Sequence, residues 1–233
     1  MSSQFSVDPH VILKQYWGYD AFRPLQLEIV MSVASGKDTV GMLPTGGGKS
    51  ICFQVPGLMR GGLTLVISPL IALMQDQVEN LNRRNIPAAM ISSAQSQQAQ
   101  DEVIGLCKTG AVKFLYCSPE KIKSESFYRI LKQMPVTMLA VDESHCISQW
   151  GNDFRPAYLE IAAIREVLTD VPCIALTASA TPPVVQDICD KLMLRNPFIS
   201  KGSFRRSNLR YFVLYEENPE AKMLEVIRKT GGS

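Results

Sequence analysis

The sequence predicts an α/β domain built on a mostly parallel sheet with helices on both faces. Two observations carry that expectation. Short apolar runs of strand length alternate with stretches of helical periodicity along nearly the whole chain, the pattern of strands joined by crossover helices. Polar clusters follow several of those runs, and in such sheets the active loops collect at the carboxyl ends of the strands. With 233 residues and 46% hydrophobic content the chain can bury a sizeable core as one large domain, or one with a small appendage; two full domains would be cramped.

Residues 1–8 are polar and expected to be loose. Pro9–Trp17 reads as a short helix carrying Val11, Ile12 and Leu13, ended by Gly18. After Gly18–Gln26 comes a helical stretch to Ser35 with Leu27, Ile29, Val30, Val33 and Ala34. Asp38–Leu43 contains a strand, Met42–Ser50 a glycine loop, and Ile51–Met59 a helix. Leu63–Ile67 is a second buried strand; Ser68-Pro69-Leu70 leads into a helix through about Arg84. Ile86–Ile91 is a third strand, and the Ser/Gln/Ala-rich stretch Ser92–Gln100 is a loop entering a helix that ends near Cys107. Phe114–Cys117 is a strand, followed by Ser118-Pro119-Glu120 and a helical region to about Gln133. Strands at 136–141 and Cys173–Leu176 complete the set; Pro182 and Pro183 then open a helix to about Leu194, since proline suits a first helical turn.

Composition narrows the functional classes. A net charge of only +2 declares no overall positive field, so any groove for nucleic acid must come from local clustering. The six cysteines are scattered without CxxC spacing and read as reduced, mostly buried thiols. No stretch resembles a cleavable signal, and no apolar run approaches the roughly 18 residues needed to span a bilayer, so a soluble, intracellular protein is expected.

The strand–loop–helix around Met42–Ser50 is built to hold phosphate. Gly46, Gly47 and Gly48 let backbone amides approach anionic oxygens, and the helix that follows adds its positive end. Thr45 opens this loop; Lys49 would reach the outer phosphates and the Ser50 hydroxyl would help hold Mg²⁺, as in GxxxxGK[ST]. Leu43 stands where the first motif glycine would fall, leaving the reduced TGGGKS form. Alone, the stretch could be a flexible turn with a solvated lysine. The second signal is Val141–His145, Val-Asp-Glu-Ser-His, an acidic pair at the end of a buried strand, costly unless something cationic meets it. Asp142 on the magnesium and Glu143 near an attacking water supply that reason.

Two further stretches stay open on residues alone. Tyr19, Arg23 and Gln26 could stack on and hydrogen-bond an adenine, or could form a helix N-terminus with an aromatic staple. Cys146–Tyr158 interleaves Trp150, Phe154 and Tyr158 with Gln149, Asn152 and Arg155; rings beside a cation suit stacking on single-stranded nucleic acid, and rings equally fill cores.

Taken in order, these motifs resemble the RecQ family of DNA helicases, a DExH-box family of superfamily 2, from Gly18 to about Tyr211. The resemblance implies a RecA-like P-loop NTPase domain over residues 18–208, preceded by an N-terminal helix over 1–17 and followed by a connector over 209–233. It implies ATP-driven, 3′ to 5′ unwinding of DNA in repair and recombination, with ATP and Mg²⁺, acting on single-stranded and forked duplex DNA. Tyr19 and Arg23 would flank the adenine, Gln26 would read its edge, and Gln149, Trp150, Phe154 and Arg155 would sense DNA, with His145 and Gln149 relaying occupancy between the two sites. Asn152 stands where the family commonly has histidine, Ser144 replaces an alanine, Ser179 a threonine, and Ser207 a proline in Phe204–Tyr211. The family also has a second RecA-like lobe that completes the ATP site with an arginine, and Lys222–Lys229 reads as a helix leading toward it; the chain is therefore expected to be a fragment that binds nucleotide but does not unwind. The implied compartment is the bacterial cytoplasm at the nucleoid or the eukaryotic nucleus, with no membrane. Other readings are a nucleic-acid-binding module without motor activity, which the intact Lys49, Ser50, Asp142 and Glu143 argue against, and a translocase or RNA-directed relative.

Overall fold

The structure, a computed structural model, describes residues 7–92, 94–123, 125–151, 153–202, 213, 215, 216 and 218–230. Asn152, Ser207, residues 1–6 and all of Phe204–Tyr211, named above, lie outside these described residues. The strands are β1 (Thr39–Met42), β2 (Leu63–Ile67), β3 (Ala88–Ile91), β4 (Phe114–Cys117), β5 (Val136–Val141), β6 (Cys173–Thr177) and β7 (Phe198–Lys201). They form one sheet in the order β3-β4-β2-β5-β6-β1-β7, with every pairing parallel. The helices are α1 (Pro9–Trp17), α2 (Gln26–Ala34), α3 (Ile51–Arg60), α4 (Ile71–Arg83), α5 (Gln97–Lys108), α6 (Glu125–Leu131), α7 (Ile161–Val167), α8 (Pro182–Lys191) and α9 (Pro219–Thr230). The chain divides into two compact units, Met1–Ser203 and Phe204–Ser233, the second containing α9.

Parallel strands need crossovers, and the crossovers cover both faces of the sheet. Strands β1, β2, β4 and β6 are buried at every position, which explains why they read as continuous apolar runs. Alternate side chains then divide the interior in two. Leu65, Ile67, Leu139, Val141 and Ala175 pack with α5, α6, α7 and α8 on one face. Val66, Tyr116, Met138, Ala140 and Ile174 pack with α2, α3 and α4 on the other. The expected helices on both faces are found.

Register fixes what meets at the top of the sheet. Met42 of β1 lies opposite Thr177 of β6, Ala175 of β6 opposite Val141 of β5, and Ile67 of β2 opposite Val141 on the far side. The glycine loop, the acidic pair and the Ser68 turn therefore leave from one rim. At the opposite rim the buried Asp38 carboxylate receives the Arg165 guanidinium (2.9 Å) and the N–H groups of Cys173 (2.7 Å) and Arg195 (2.8 Å), tying β1 and β6 to α7.

Several boundaries differ from the sequence expectation. β3 starts at Ala88 rather than Ile86, because the Ile86 N–H closes the end of α4 on Leu81 and Pro87 has no N–H for a ladder. The helical region after Glu120 is a 3₁₀ turn, Lys121–Lys123, followed by α6. The helix opened by Pro182 stops at Lys191, and Met193 turns into the left-handed region (φ 49°). Helix α7 and strand β7 had no counterpart in the sequence reading. The cysteines are free thiols, five of them buried and Cys189 half-buried. Among the described residues no helix is long and apolar enough to cross a membrane.

Candidate functional site

The glycine loop runs from β1 into α3. Gly46 and Gly48 both sit at φ +77°, and a side chain on Gly48 would overlap the Gln26 carboxamide. The loop winds directly into the helix: Ile51, Cys52 and Phe53 donate their N–H groups to the carbonyls of Gly48, Lys49 and Ser50. Thr45 and Gly46 are exposed, while Lys49 and Ser50 are half-buried.

Gln26, the first residue of α2, is only 3% exposed. Its Oε1 accepts from the Arg23 N–H (2.9 Å), and its Nε2 donates to the carbonyls of Gly47 (3.0 Å) and Gly48 (3.1 Å). The Arg23 guanidinium donates to the Gly46 carbonyl. Both side chains therefore lie on the glycine loop, which connects the Gly18–Gln26 stretch to it. They line a cleft of about 500 Å³ together with Trp17, Tyr19, Ser50, Gln54, Gln77, Asn80 and Arg84. The last three have no place in the sequence expectation. Gln77, Asn80 and Arg84 lie three and four positions apart and read in sequence as an ordinary solvated helix face.

The acidic pair meets its cation. Lys49 Nζ lies 2.6 Å from Glu143 Oε1, joining the loop after β1 to the end of β5. Glu143 Oε2 lies 3.3 Å from His145 Nδ1, which is also 2.9 Å from Thr177 Oγ1. Thr177 donates its own proton to the Ser179 carbonyl and the Glu143 carboxylate can only accept, so Nδ1 carries the ring proton. The His145 hydrogen bond, followed by Lys49, holds the Glu143 carboxyl down at about 2 against the opposing effect of burial. Asp142 is pushed the other way, first by burial and then by the adjacent Glu143 charge. Its Oδ1 accepts the Glu143 N–H (2.9 Å), and its own N–H bonds the carbonyl of Ile67. Glu143 is held at φ 45°, ψ 44°, a left-handed conformation unusual for a non-glycine residue and common where a site imposes it.

A desolvated carboxylate beside a second carboxylate fits a hard divalent cation, and the Ser50 hydroxyl belongs to the same class of oxygen donor. His145, Cys146 and Asp153 also place donor atoms within 4.8 Å of one another. There Asp153 is engaged by Arg155 (3.1 Å), and burial pushes the Cys146 thiol up to about 12, so this group is a hydrogen-bonded network.

The aromatic stretch divides residue by residue. Tyr158 is fully buried and its hydroxyl donates to the Asp142 carbonyl (2.9 Å), so it is core and also steadies the acidic pair. Trp150 is 76% exposed, Gln149 is exposed, and Phe154 is half-buried. Arg155 donates to the Pro69 carbonyl (3.2 Å), joining this stretch to the turn after β2. Lys49, Glu143 and His145 are thus brought together, Tyr19, Arg23 and Gln26 are gathered at the glycine loop, and Gln149 and Trp150 face solvent.

The family described as DEAD/DEAH box helicase matches residues 23–188. The ATP-dependent DNA helicase RecQ of Bacillus subtilis is 45% identical over 219 residues, covering 93% of this chain and 37% of that protein. RecQ of Haemophilus influenzae is 41% identical over 216 residues, covering 93% and 35%. The ATP-dependent helicase SGS1 of Saccharomyces cerevisiae is 42% identical over 210 residues, covering 86% and 14%. The chain thus spans about a third of the length of the bacterial relatives. Among solved structures, the helicase MrfA superimposes with a TM-score of 0.71 at 18% identity, covering 99% of this chain and 37% of that one. The Hef helicase domain of Pyrococcus furiosus gives 0.59 at 22% identity, covering 77% and 38%. These two likenesses bear on the fold, which is RecA-like as expected.

Proposed function

Since the chain belongs to the DEAD/DEAH box helicase family, on its RecQ branch, we propose that it is the ATP-binding motor lobe of a DNA helicase that couples ATP hydrolysis to 3′ to 5′ unwinding in repair and recombination. The observation that carries this reading is the 2.6 Å contact between Lys49 and Glu143, which brings the phosphate loop and the acidic pair into one site.

In the mechanism, the amides of Gly46 to Ser50 cradle the phosphates, with Thr45 at the loop's entrance, while Tyr19 and Arg23 flank the adenine and Gln26 reads its edge. Reading that edge requires Gln26 to turn its Nε2 away from the Gly47 and Gly48 carbonyls, so base recognition and loop opening are one movement. Lys49 passes from Glu143 to the outer phosphates. Relieved of that ammonium, Glu143 becomes a stronger base, placed to orient the attacking water and accept its proton. Ser50 and Asp142 would hold Mg²⁺, which would supply charge neutralisation at the phosphates. His145, tied to both Glu143 and Thr177, and Gln149 relay DNA occupancy from Trp150, Phe154 and Arg155.

The chain corresponds to residues 18–208 as the nucleotide-binding domain, with 1–17 as an N-terminal helix and 209–233 leading to a second RecA-like lobe. That lobe brings a transition-state arginine, a contribution of about 10³ to 10⁵ in rate, so the 233-residue chain by itself binds nucleotide, hydrolyses little and does not unwind. Its partners are single-stranded and forked duplex DNA, at the bacterial nucleoid or in the eukaryotic nucleus. The test is titration of a fluorescent ATP analogue into wild type and Lys49→Ala, with and without single-stranded DNA. Loss of about two orders of magnitude in affinity is expected for Lys49→Ala; equal affinities would overturn the reading.

A further inference from the structure

Residues Ile147–Trp150 are fastened to α8 at two points that lie outside the motifs described above. The fully buried Ser148 donates its hydroxyl to Asp187 Oδ2 at 2.6 Å and accepts the Trp150 N–H at 3.1 Å. One turn further along α8, Lys191 lies 3.0 Å from the same Asp187 oxygen and donates to the Ile147 carbonyl at 3.3 Å. The exposed indole of Trp150 therefore stands on a segment that Asp187 and Lys191 tie to α8, Asp187 through the Ser148 hydroxyl.

The same helix leads back to the chemistry. α8 begins five residues after Thr177, whose hydroxyl lies 2.9 Å from His145 Nδ1, the nitrogen that also faces Glu143. Ser148 in turn donates its N–H to the His145 carbonyl. A load on Trp150 must either break the Ser148–Asp187 contact or move the 3₁₀ turn Ser144–Ile147 and α8 together, and moving them shifts His145 against Glu143. The apolar seat of this joint, Cys146 and Ile147 against Val184 and Ile188, is independent of the carboxylate, so the joint can be cut without emptying the core.

Resting on the reading of Trp150 as a contact for single-stranded DNA, we propose that Asp187, acting through Ser148, is a positioning residue that transmits DNA occupancy at Trp150 to the His145–Glu143 pair. The Ser148 hydroxyl and then the Lys191 ammonium hold the Asp187 carboxyl below the ordinary carboxylate range.

The test is ATP hydrolysis by the full-length protein, with and without an oligothymidylate of about 12 nucleotides. Asp187→Ala is expected to leave the KM for ATP within about twofold and to lower the DNA-stimulated kcat by about tenfold, within the range of measured couplings between sites. Asp187→Asn, whose carbonyl still accepts the Ser148 hydroxyl, retains most of the stimulation. Ser148→Ala matches Asp187→Ala, and the double variant is no worse than either single one, as for two groups in one contact. Full stimulation in Asp187→Ala alongside its loss in Trp150→Ala overturns the inference alone. A parallel rise in KM and fall in melting temperature in Asp187→Ala also overturns it, by making the contact structural. Full stimulation in Trp150→Ala removes the underlying reading, and the inference with it.

Discussion

At the scale of single residues, the two acids ending β5 are neighbours with opposite electrostatic signs. Glu143, depressed to about 2 by His145 and Lys49, stabilises the fold at pH values above its ordinary carboxyl range, and that stability is lost as pH falls toward 2. After allowing for partial exposure, the contribution is on the order of 1–2 kcal/mol. Asp142, raised by burial and by Glu143, destabilises the nucleotide-free protein when charged, and acidification relieves it. Thermal unfolding followed by circular dichroism across pH should therefore show a flattened acid limb in Glu143→Gln. Asp142→Asn should melt higher than wild type at neutral pH while losing Mg²⁺-dependent nucleotide affinity. Ser144 offers a third case: its buried hydroxyl has no partner among the described residues, so Ser144→Ala should stabilise the protein by about 1 kcal/mol. The convergence of the glycine loop and the acidic pair on one site was legible, because acids at the end of a buried strand need a cation; the direct contact of Lys49 with Glu143 was not, since each has its own expected place at the phosphates and the attacking water. The hydrogen bonds of Gln26 were not, because a carboxamide serves a base edge and a peptide carbonyl equally well. Trp150 and Tyr158 likewise look alike in sequence, and only the fold separates the exposed ring from the buried one.

At the scale of elements, helix α3 lies so close to the sheet that a Cβ on Gly57 would come 2.5 Å from Thr64 Oγ1 and 2.8 Å from the Phe114 ring. Alanine normally favours a helix interior over glycine by about 1 kcal/mol; here the overlap reverses the sign, and Gly57→Ala should destabilise by about 1–3 kcal/mol in chemical denaturation. The polar face of α4 carries a second expectation. Arg84, which follows its last residue and whose NH1 donates to the Asn80 carbonyl, lines the same cleft as Tyr19, so Arg84→Ala should weaken binding of a fluorescent ATP analogue by about tenfold with little change in stability. The elements that escaped the sequence reading share a reason. Helix α7 has only seven residues, too few for a clear period, and β7 is an edge strand exposing Phe198 and Ile199, so its apolar residues do not form the buried run that marked the others.

At the scale of the whole nucleotide-binding unit, one rim of the sheet carries the site and the other carries the Asp38 anchor. Removing that anchor should be costly. Asp38→Ala leaves the Arg165 guanidinium, 3% exposed, buried without its carboxylate, and a loss of about 3–5 kcal/mol is expected by denaturant unfolding, with nucleotide affinity preserved wherever the protein remains folded. The strand order itself has a further effect. Because β6 alone intervenes between β1 and β5, the gap between Lys49's loop and Glu143's strand is two ladder spacings, about 10 Å, set by backbone geometry rather than by any connecting segment. Extra length inserted at the turn 109–111 or after Leu168 would bulge from the anchored side and leave that interval untouched. Descendants of this chain can therefore lengthen and diversify along one margin indefinitely while the reacting margin keeps the same gauge.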